Sequence, residues 1–171
     1  MKFSTRDRYA LRLMVELANH PKDLVPLKEI SDAQGISLKY LEQIVTPLSK
    51  AGLLGSVRGA QGGYRLLRPA EDITAGEILR AVEGELTAIP CLGAGADCPR
   101  RCQCYTLDFW AGLNDTINRY VDGVTLAQLC VLEDKANSCR KNSKKIKKSV
   151  DKPHQHCYNN EAVIKAVDIA P

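Results

Sequence analysis

The sequence has no apolar run long enough to cross a membrane, and it has few of the residues on which most enzymes depend. No stretch approaches the roughly 18 to 20 apolar residues that a membrane span requires. The first residues, MKFSTRDRY, carry charge where a signal peptide needs an apolar core, which predicts a cytoplasmic protein with no membrane partner. There are only three histidines, and no paired carboxylates or Ser/His/Asp arrangement stands out. We therefore expect a protein that is not an enzyme.

The composition is that of a globular protein with one large core or two small ones. Hydrophobic residues make up 44% of the 171 residues and charged residues 26%. Seven cysteines in a cytoplasmic protein do not predict a disulfide framework. Metal binding, a metal cluster or redox chemistry is the leading explanation for them.

Charge is divided unevenly along the chain. Residues 1–70 carry a net charge of +5, residues 71–134 a net charge of −7, and residues 135–152 a net charge of +7. The basic N-terminal part is suited to a polyanion such as nucleic acid, and the acidic middle would repel one. The lysine-rich run near the C-terminus has two interpretations, a solvated disordered tail or an auxiliary contact with nucleic acid.

The first fifty residues have the apolar spacing of three helices. Apolar residues every three or four positions over 5–20 predict an amphipathic helix that Pro21 stops. Residues 27–34 predict a second helix, with Gly35 as its C-terminal stop. Ser37 is the expected N-cap of a third helix, and two short helices joined in this way predict a helix-turn-helix. The predicted buried stripe of the third helix is Leu41, Ile44, Val45 and Leu48.

A glycine-rich stretch follows the third helix and predicts a β-hairpin over residues 54–67, which would be a wing. Its loop, Gly59 to Gly63, lacks the context and the ending of a phosphate-binding P-loop, so a tight turn explains the glycines better. Thr74 and Glu77 form a T-x-x-E capping box that opens a fourth helix, which Gly84 ends.

A narrow apolar stripe marks a longer helix after residue 104, and Thr125 with Gln128 caps a short helix behind it. The stripe resembles a helix-pairing seam more than a broad core face, which predicts a homodimer. The predicted interface residues are Trp110, Leu113, Ile117 and Val121.

Polar and basic residues on the predicted helix-turn-helix and wing indicate DNA binding. Ordinary packing of three helices gives a similar spacing of apolar residues, so the prediction of DNA binding depends on the polar and basic side chains. Residues placed to meet base edges and phosphates in the major groove are Ser37, Lys39, Tyr40, Glu42 and Gln43. Arg58 at the wing would enter a narrow minor groove. Arg6, Arg8 and Lys28 would neutralise phosphates.

Four of the cysteines, Cys91, Cys98, Cys102 and Cys104, lie within fourteen residues of an irregular loop. Several thiolates on one loop can converge on zinc or an iron–sulfur cluster. The spacing C-x6-C-x3-C-x-C is not that of zinc-ribbon knuckles, which disfavours zinc. Cys130 stands alone on an apolar helix face and is interpreted as structural.

Several stretches together closely resemble the IscR-type family of winged-helix transcription regulators. They are STRDRYALRLMVELA, ISLKYLEQIVTPLSKAGLL, SVRGAQGGYRL, ITAGEILRAVEG, the cysteine loop and W-x2-L-x11-TLAQL, spanning residues 1 to about 133. The resemblance implies a homodimer joined by the long helix and a cluster held by three cysteines. The positions that match those ligands are Cys91, Cys98 and Cys104, and those that match the DNA-reading residues are Lys39, Tyr40, Glu42, Gln43 and Arg58. A sister branch that senses cysteine status lacks the cluster cysteines, so their presence argues against that branch.

The sequence departs from the family at the fourth cluster ligand. The cluster-biogenesis regulator has a histidine where this sequence has Leu107, and the nitric-oxide-sensing branch has an aspartate where it has Arg8. Our candidates for this ligand are, in order, Cys102, Asp7 and Asp108. Two helical positions two apart point about 200° apart, so Cys102 and Cys104 can bind together only if the helix begins after them and the chain turns between them.

The predicted fold is mainly α with a small β-hairpin. It comprises a winged helix-turn-helix domain (1–83), a cysteine-rich loop (84–104), a dimerisation helix with a short following helix (105–134) and a basic, disordered tail (135–171). The predicted function is that of a homodimeric regulator that binds a palindromic double-stranded DNA operator under the control of an iron–sulfur cluster. Resemblance to the biogenesis regulator favours a 2Fe–2S cluster over a 4Fe–4S cluster. The alternative is a zinc-binding or thiol-redox protein that does not read DNA.

Overall fold

The computed structural model describes residues 4–59 and 61–132 of the chain. The predicted tail over 135–171 lies outside the described residues. The elements, in chain order, are α1 (Thr5–Ala18), α2 (Leu27–Gln34), α3 (Leu38–Lys50), β1 (Leu54–Val57), β2 (Gly63–Leu66), α4 (Ala75–Glu83), α5 (Leu107–Gly123) and a final helical stretch, α6, over residues 126–132. The predicted mainly α fold with one hairpin is confirmed. Within the described residues, no helix combines the length and the apolar character needed to span a membrane.

Helix α1 begins with a capping box. Ser4 Oγ accepts from the backbone N–H of Arg6 at 3.0 Å, and Asp7 Oδ2 accepts from the backbone N–H of Ser4 at 2.8 Å. The helix ends at Ala18, two residues before the predicted end. The reason is Pro21, which disfavours the helical conformation of the residue before it.

The turn between α2 and α3 follows the prediction at Gly35 and departs from it at Ser37. Gly35 has a φ of 64° and closes α2, and the next N–H, that of Ile36, donates to Ser31 O at 3.2 Å. Ser37 is the N-cap residue of α3, but its side chain makes no capping hydrogen bond, so that part of the prediction is wrong. The N–H of Tyr40, at the third helical position, donates to the backbone carbonyl of Ser37 at 3.0 Å instead.

The core lies where α1, α3 and α4 meet. The predicted stripe of α3 is buried, with Leu41, Ile44 and Leu48 at 0% exposure and Val45 at 3%. Burying a side chain of this size contributes about 1.5–3 kcal/mol to stability, so this apolar face holds the exposed opposite face of α3 in place. The other large side chains that are fully buried are Leu13, Met14, Leu17, Ile30, Ile73, Ile78 and Leu126.

The hairpin packs on the core through Leu54, and a backbone bridge also joins it to the segment between α1 and α2. Strands β1 and β2 pair antiparallel from Leu54 opposite Leu66 to Val57 opposite Gly63. Val25, in the segment between α1 and α2, exchanges both backbone hydrogen bonds with Tyr64, at 3.0 and 2.9 Å. A Cβ at Gly63 would lie 2.7 Å from the backbone of Val25, so glycine is needed for this close approach.

The chain after α5 returns to the winged-helix core. Leu126 N–H donates to Ile73 O and Ala75 N–H donates to Val124 O, both at 2.8 Å. The predicted cap of α6 is present, with Gln128 Oε1 accepting from Thr125 N at 2.9 Å. Because Leu126 is fully buried in the same core as α1 and α3, this segment packs with the DNA-binding domain, whereas the sequence grouped it with the long helix.

Candidate DNA interface and cysteine loop

The exposed face of α3 carries the predicted base-reading side chains. Lys39, Glu42 and Gln43 are exposed, as is Ser37 before the helix. Tyr40 is half-buried instead, because its ring packs edge-on against Tyr9 with centroids 5.5 Å apart. Tyr40 therefore joins α3 to α1 and leaves only part of its ring at the surface.

The wing presents two arginines, one of which the sequence analysis missed. Arg58 is exposed at the end of β1, and Gly62 N–H closes the turn by donating to Gly59 O at 3.0 Å. A Cβ at Gly62 would overlap Val57 O, which explains one loop glycine by close backbone packing. Arg65 on β2 is also exposed. The sequence could have predicted this exposure, because successive side chains of a strand point to opposite faces and Arg65 therefore points away from the half-buried Tyr64.

The three predicted phosphate-neutralising residues differ in their surroundings. Lys28 and Arg8 are exposed, and Arg8 Nη2 donates to Thr5 Oγ1 at 3.0 Å. Arg6 is half-buried, and its Nη2 donates to the backbone carbonyl of Gln43 at 3.3 Å. The basic residues of α1 thus include one that faces solvent and one that is tied to α3.

The cysteine loop runs between α4 and α5 and is fastened to its surroundings by polar contacts. Asn114 Oδ1 accepts from Ala88 N at 2.9 Å, and Asn118 Nδ2 donates to Leu86 O at 3.1 Å. Across the loop, Arg101 Nη1 donates to Cys91 O at 3.1 Å. The loop is therefore held at its start by side chains of α5.

The four loop cysteines are all accessible, but the described loop does not gather them. Cys91, Cys98 and Cys104 are half-buried and Cys102 is exposed. Over residues 4–59 and 61–132, no three His, Cys, Asp or Glu side chains come together to hold a metal. The donor set, several thiols on one loop, fits an iron–sulfur cluster in its chemistry, while this loop conformation does not supply the geometry.

Cys102 and Cys104 both lie before helix α5, at the end of the loop. A 3-10 turn spans Arg101–Gln103, and α5 begins only at Leu107, after both cysteines. A hydrogen bond to Thr106, with Sγ and Oγ1 3.5 Å apart, lowers the pKa of the Cys104 thiol. A thiolate is the form that binds metal, and the lowered pKa increases the thiolate fraction of Cys104.

The other two candidates for the fourth ligand have contrasting environments. Asp108 is exposed in the first turn of α5. Asp7 is 2% exposed, and its Oδ1 has no hydrogen-bond partner among the described residues. Burial raises the pKa of Asp7, and nearby Glu83, to which Ser4 Oγ donates at 2.5 Å, raises it further. The identity of the fourth ligand stays a prediction.

Among the described residues, packing covers helix α5 mainly at its C-terminal end. Val121 is buried against Leu79 and Leu86, so it has little surface left for a partner. Nearer the start of α5, Trp110 and Ile117 are half-buried and Leu113 is 38% exposed. Of the four residues predicted for the dimer interface, the first three are therefore accessible, and the last one is buried against residues of its own chain.

A polar cluster joins α5 to α4. Arg80 of α4 makes two hydrogen bonds to the Asp122 carboxylate, at 2.6 and 2.9 Å, and a third to Asn118 Oδ1 at 2.7 Å. The bonds to Asp122 raise the pKa of Arg80. Because Asn118 also holds the start of the cysteine loop, one residue contacts the loop and the winged-helix domain together.

A helix-turn-helix followed by a two-stranded wing defines a winged-helix DNA-binding protein. Comparison with known proteins makes the assignment specific. The chain belongs to the Rrf2 family, described as iron-dependent transcriptional regulators, whose family model matches residues 3–131. It is a DNA-binding transcription regulator and not an enzyme, as predicted.

Individual relatives agree with this assignment. Over 130 residues the chain is 44% identical to the HTH-type transcriptional regulator IscR of Vibrio atlanticus, covering 75% of each protein. Among solved structures it is similar to CymR, the global cysteine regulator of B. subtilis, with 35% identity, a TM-score of 0.64 and coverage of 77% of this chain and 98% of that one. It is also similar to T. potens IscR, with 39% identity, a TM-score of 0.61 and coverage of 78% and 88%. The predicted IscR-type resemblance is confirmed.

Proposed function

We propose that this regulator is a cytoplasmic homodimer whose affinity or specificity for a palindromic operator is controlled by an iron–sulfur cluster, of the 2Fe–2S type, bound in the cysteine loop. The observation that carries the proposal is the position of four thiols on a loop that side chains of α5 hold at its start. CymR and IscR structures both match the fold, so overall shape does not distinguish their branches. The cysteines themselves favour cluster binding.

Three half-buried thiols, Cys91, Cys98 and Cys104, would supply three ligands, and Cys102 is the first candidate for the fourth. When bound, the cluster supplies a redox-sensitive, thiolate-ligated iron centre. Since no three donor side chains come together in the described loop, binding requires the loop to close around the cluster. Closure moves the segment at Leu86 and Ala88, which bonds to Asn118 and Asn114 of α5.

The α4–α5 polar cluster gives this movement a path to the DNA-binding domain. Asn118 contacts the loop and Arg80, and Arg80 belongs to α4, which packs on α1 and α3. Loop closure therefore biases the orientation of α5 relative to α3. By linkage, DNA binding changes cluster stability by the same free energy by which the cluster changes DNA affinity.

Dimerisation through α5 is supported by the apolar surface that the described part of the chain leaves exposed on this helix. Phe109 is 67% exposed and packs edge-on against Trp110, with ring centroids 5.2 Å apart. Leu113 continues the stripe one turn later. A two-fold dimer presents two copies of α3, which is the arrangement that matches a palindromic operator.

The DNA-binding assignment is tested with two substitutions. Gln43→Ala should relax discrimination at particular base pairs, at a cost of about 1–3 kcal/mol at the preferred sequence. Arg58→Ala should weaken operator binding and reduce the slope of log K against log salt by about one. Arg68→Ala is the matched control, because its guanidinium is already paired with Glu77 at 2.8 Å. Unchanged affinity and sequence preference in both test variants would overturn the proposed docking of α3 and the wing.

The cofactor assignment is tested by anaerobic purification, an absorption spectrum, and iron and sulfide analysis. Replacing Cys91, Cys98 or Cys104 with alanine should abolish the cluster, and Cys102→Ala should lower its occupancy or shift its spectrum. Cys130→Ala is the matched control and should do neither, since Cys130 packs against the core. Zinc in place of iron and sulfide would overturn the proposal. If Asp7→Ala loses the cluster while Cys102→Ala keeps it, the fourth ligand comes from α1.

A further inference from the structure

A proline inside α3 leaves one backbone carbonyl without its helical hydrogen bond. In an α-helix the N–H of each residue donates to the carbonyl four residues earlier. Pro47 has no N–H, and the carbonyl that it leaves unpaired is that of Gln43. Gln43 is the residue that we place at the base edges, so the defect lies at the point of α3 where precise positioning matters most.

The guanidinium of Arg6 donates to this carbonyl from outside the helix. Arg6 Nη2 donates to Gln43 O at 3.3 Å, although the two residues are 37 positions apart in sequence. Arg6 is held there by the first turn of α1, and its Nε is buried with no hydrogen-bond partner among the described residues. The side chain is therefore directed onto α3 and partly withdrawn from solvent.

The surface around this contact is open. A cleft of about 530 Å³ is lined by Arg6, Gln43, Thr46, Pro47 and Lys50. The carbonyl before the break, that of Glu42, accepts from Thr46 Oγ1 at 2.9 Å, so side-chain donors serve two successive carbonyls of this turn. Without Arg6, the Gln43 carbonyl would have water as its partner, and α3 would lose a direct connection to α1.

We propose that Arg6 is a positioning residue for the recognition helix. Its guanidinium replaces the hydrogen-bond donor that Pro47 lacks and so fixes the base-reading turn of α3 against α1. This inference rests on the proposed role of α3 in reading bases. It differs from the simpler role of Arg6 as a phosphate contact, because a phosphate contact would not depend on the residue at position 47.

A double-mutant cycle separates the two roles. The variants are Arg6→Ala, Pro47→Ala and the two combined, and Arg8→Ala is the control because it removes the same charge from an exposed position two residues away. Amide hydrogen exchange of α3 is measured on the DNA-free protein. Operator affinity, its salt dependence and discrimination against a single-base variant are measured on each protein.

We expect Arg6→Ala to speed exchange of the α3 amides about tenfold, as loss of one hydrogen bond worth about 1.4 kcal/mol would do, and to reduce base discrimination. In the Pro47→Ala background the same substitution should have little effect on either, because the backbone at position 47 then supplies the N–H. If Arg6→Ala alone unfolds the protein, the combined variant should restore folding. Arg8→Ala should leave exchange and base discrimination unchanged, and it should lower operator affinity and the salt slope in the way expected of a phosphate contact.

Two outcomes would overturn the proposal. Arg6→Ala could lower affinity equally in both backgrounds and reduce the salt slope by about one, which would make it a phosphate contact only. Alternatively, exchange could show the coupling while base discrimination stays unchanged, which would make the contact purely structural. Failure of the proposed function is distinct from both, since Gln43→Ala would then leave sequence preference intact.

Discussion

Gly76 in the first turn of α4 offers a sharp test of the contact between α4 and α5. A Cβ at this position would overlap Asp122 Oδ1 and lie 2.8 Å from Arg80 Nη1. Gly76→Ala should therefore displace the Asp122 carboxylate from its two-bond contact with Arg80. Replacing a helical glycine with alanine ordinarily stabilises a protein by up to about 1 kcal/mol, so the expected loss at this site opposes the usual trend.

The size of the effect follows from the contacts that are lost. The Arg80 and Asp122 side chains are 36% and 46% exposed, which limits their ion pair to about 1 kcal/mol or less. Loosening the bond from Arg80 to Asn118 adds about 1 kcal/mol at most. Alanine in place of a helical glycine offsets part of this loss, so the net effect of Gly76→Ala on the free energy of unfolding should lie between zero and a loss of about 1 kcal/mol. In an Asp122→Ala background it should instead stabilise, which gives a coupling energy of about 1–2 kcal/mol.

Urea unfolding of the cluster-free protein, followed by circular dichroism, measures this coupling for the four proteins of the cycle. Equal stabilisation by Gly76→Ala in both backgrounds would refute the described packing of α4 on α5. The same variant should weaken the effect of the cluster on DNA affinity, because it disrupts the path from Asn118 to Arg80.

Three further predictions address the fold and the dimer. Glu77→Gln keeps the oxygen that accepts the capping hydrogen bond but removes the charge. Burial raises the pKa of Glu77, but hydrogen bonds from Thr74 and Arg68 lower it by more, so the pKa of Glu77 is lowered on balance. The charge should therefore add less than about 1 kcal/mol to the stability at neutral pH. In thermal unfolding, this difference between wild type and variant should disappear as the pH falls through the lowered pKa. A difference that stays constant with pH would contradict the prediction. Leu126→Ala should destabilise by about 2–5 kcal/mol in urea unfolding, while Val131→Ala on the same helix, at a 53% exposed position, should have little effect; equal effects would place Leu126 outside the core. Trp110→Ala should shift sedimentation from dimer towards monomer with a smaller effect on the monomer itself, because Trp110 is only half-buried in its own chain; an unchanged dimer would place the seam elsewhere.

Most of the helices and the hairpin could be predicted from local signals. The caps at Thr74 and Thr125, the αL residue Gly35 and the apolar stripe of α3 each depend on residues within a few positions of one another. Ser37 is the N-cap residue as predicted, but its side chain does not make the capping hydrogen bond, which residue type alone does not guarantee. The DNA-facing residues of α3 could be predicted because burial of one helix face exposes the opposite face.

Sequence alone therefore determined the order of elements and the family, and it indicated the candidate donor thiols, since these depend on nearby residues and on motifs. Only the tertiary structure decided which distant groups meet. It paired Arg6 with the carbonyl freed by Pro47, and it placed Leu126 in the winged-helix core. It also buried Val121 within its own chain, where the helical stripe predicted a partner's surface. The physical reason is that periodicity shows which face of a helix is apolar, whereas the identity of the surface that covers this face depends on how remote segments pack together.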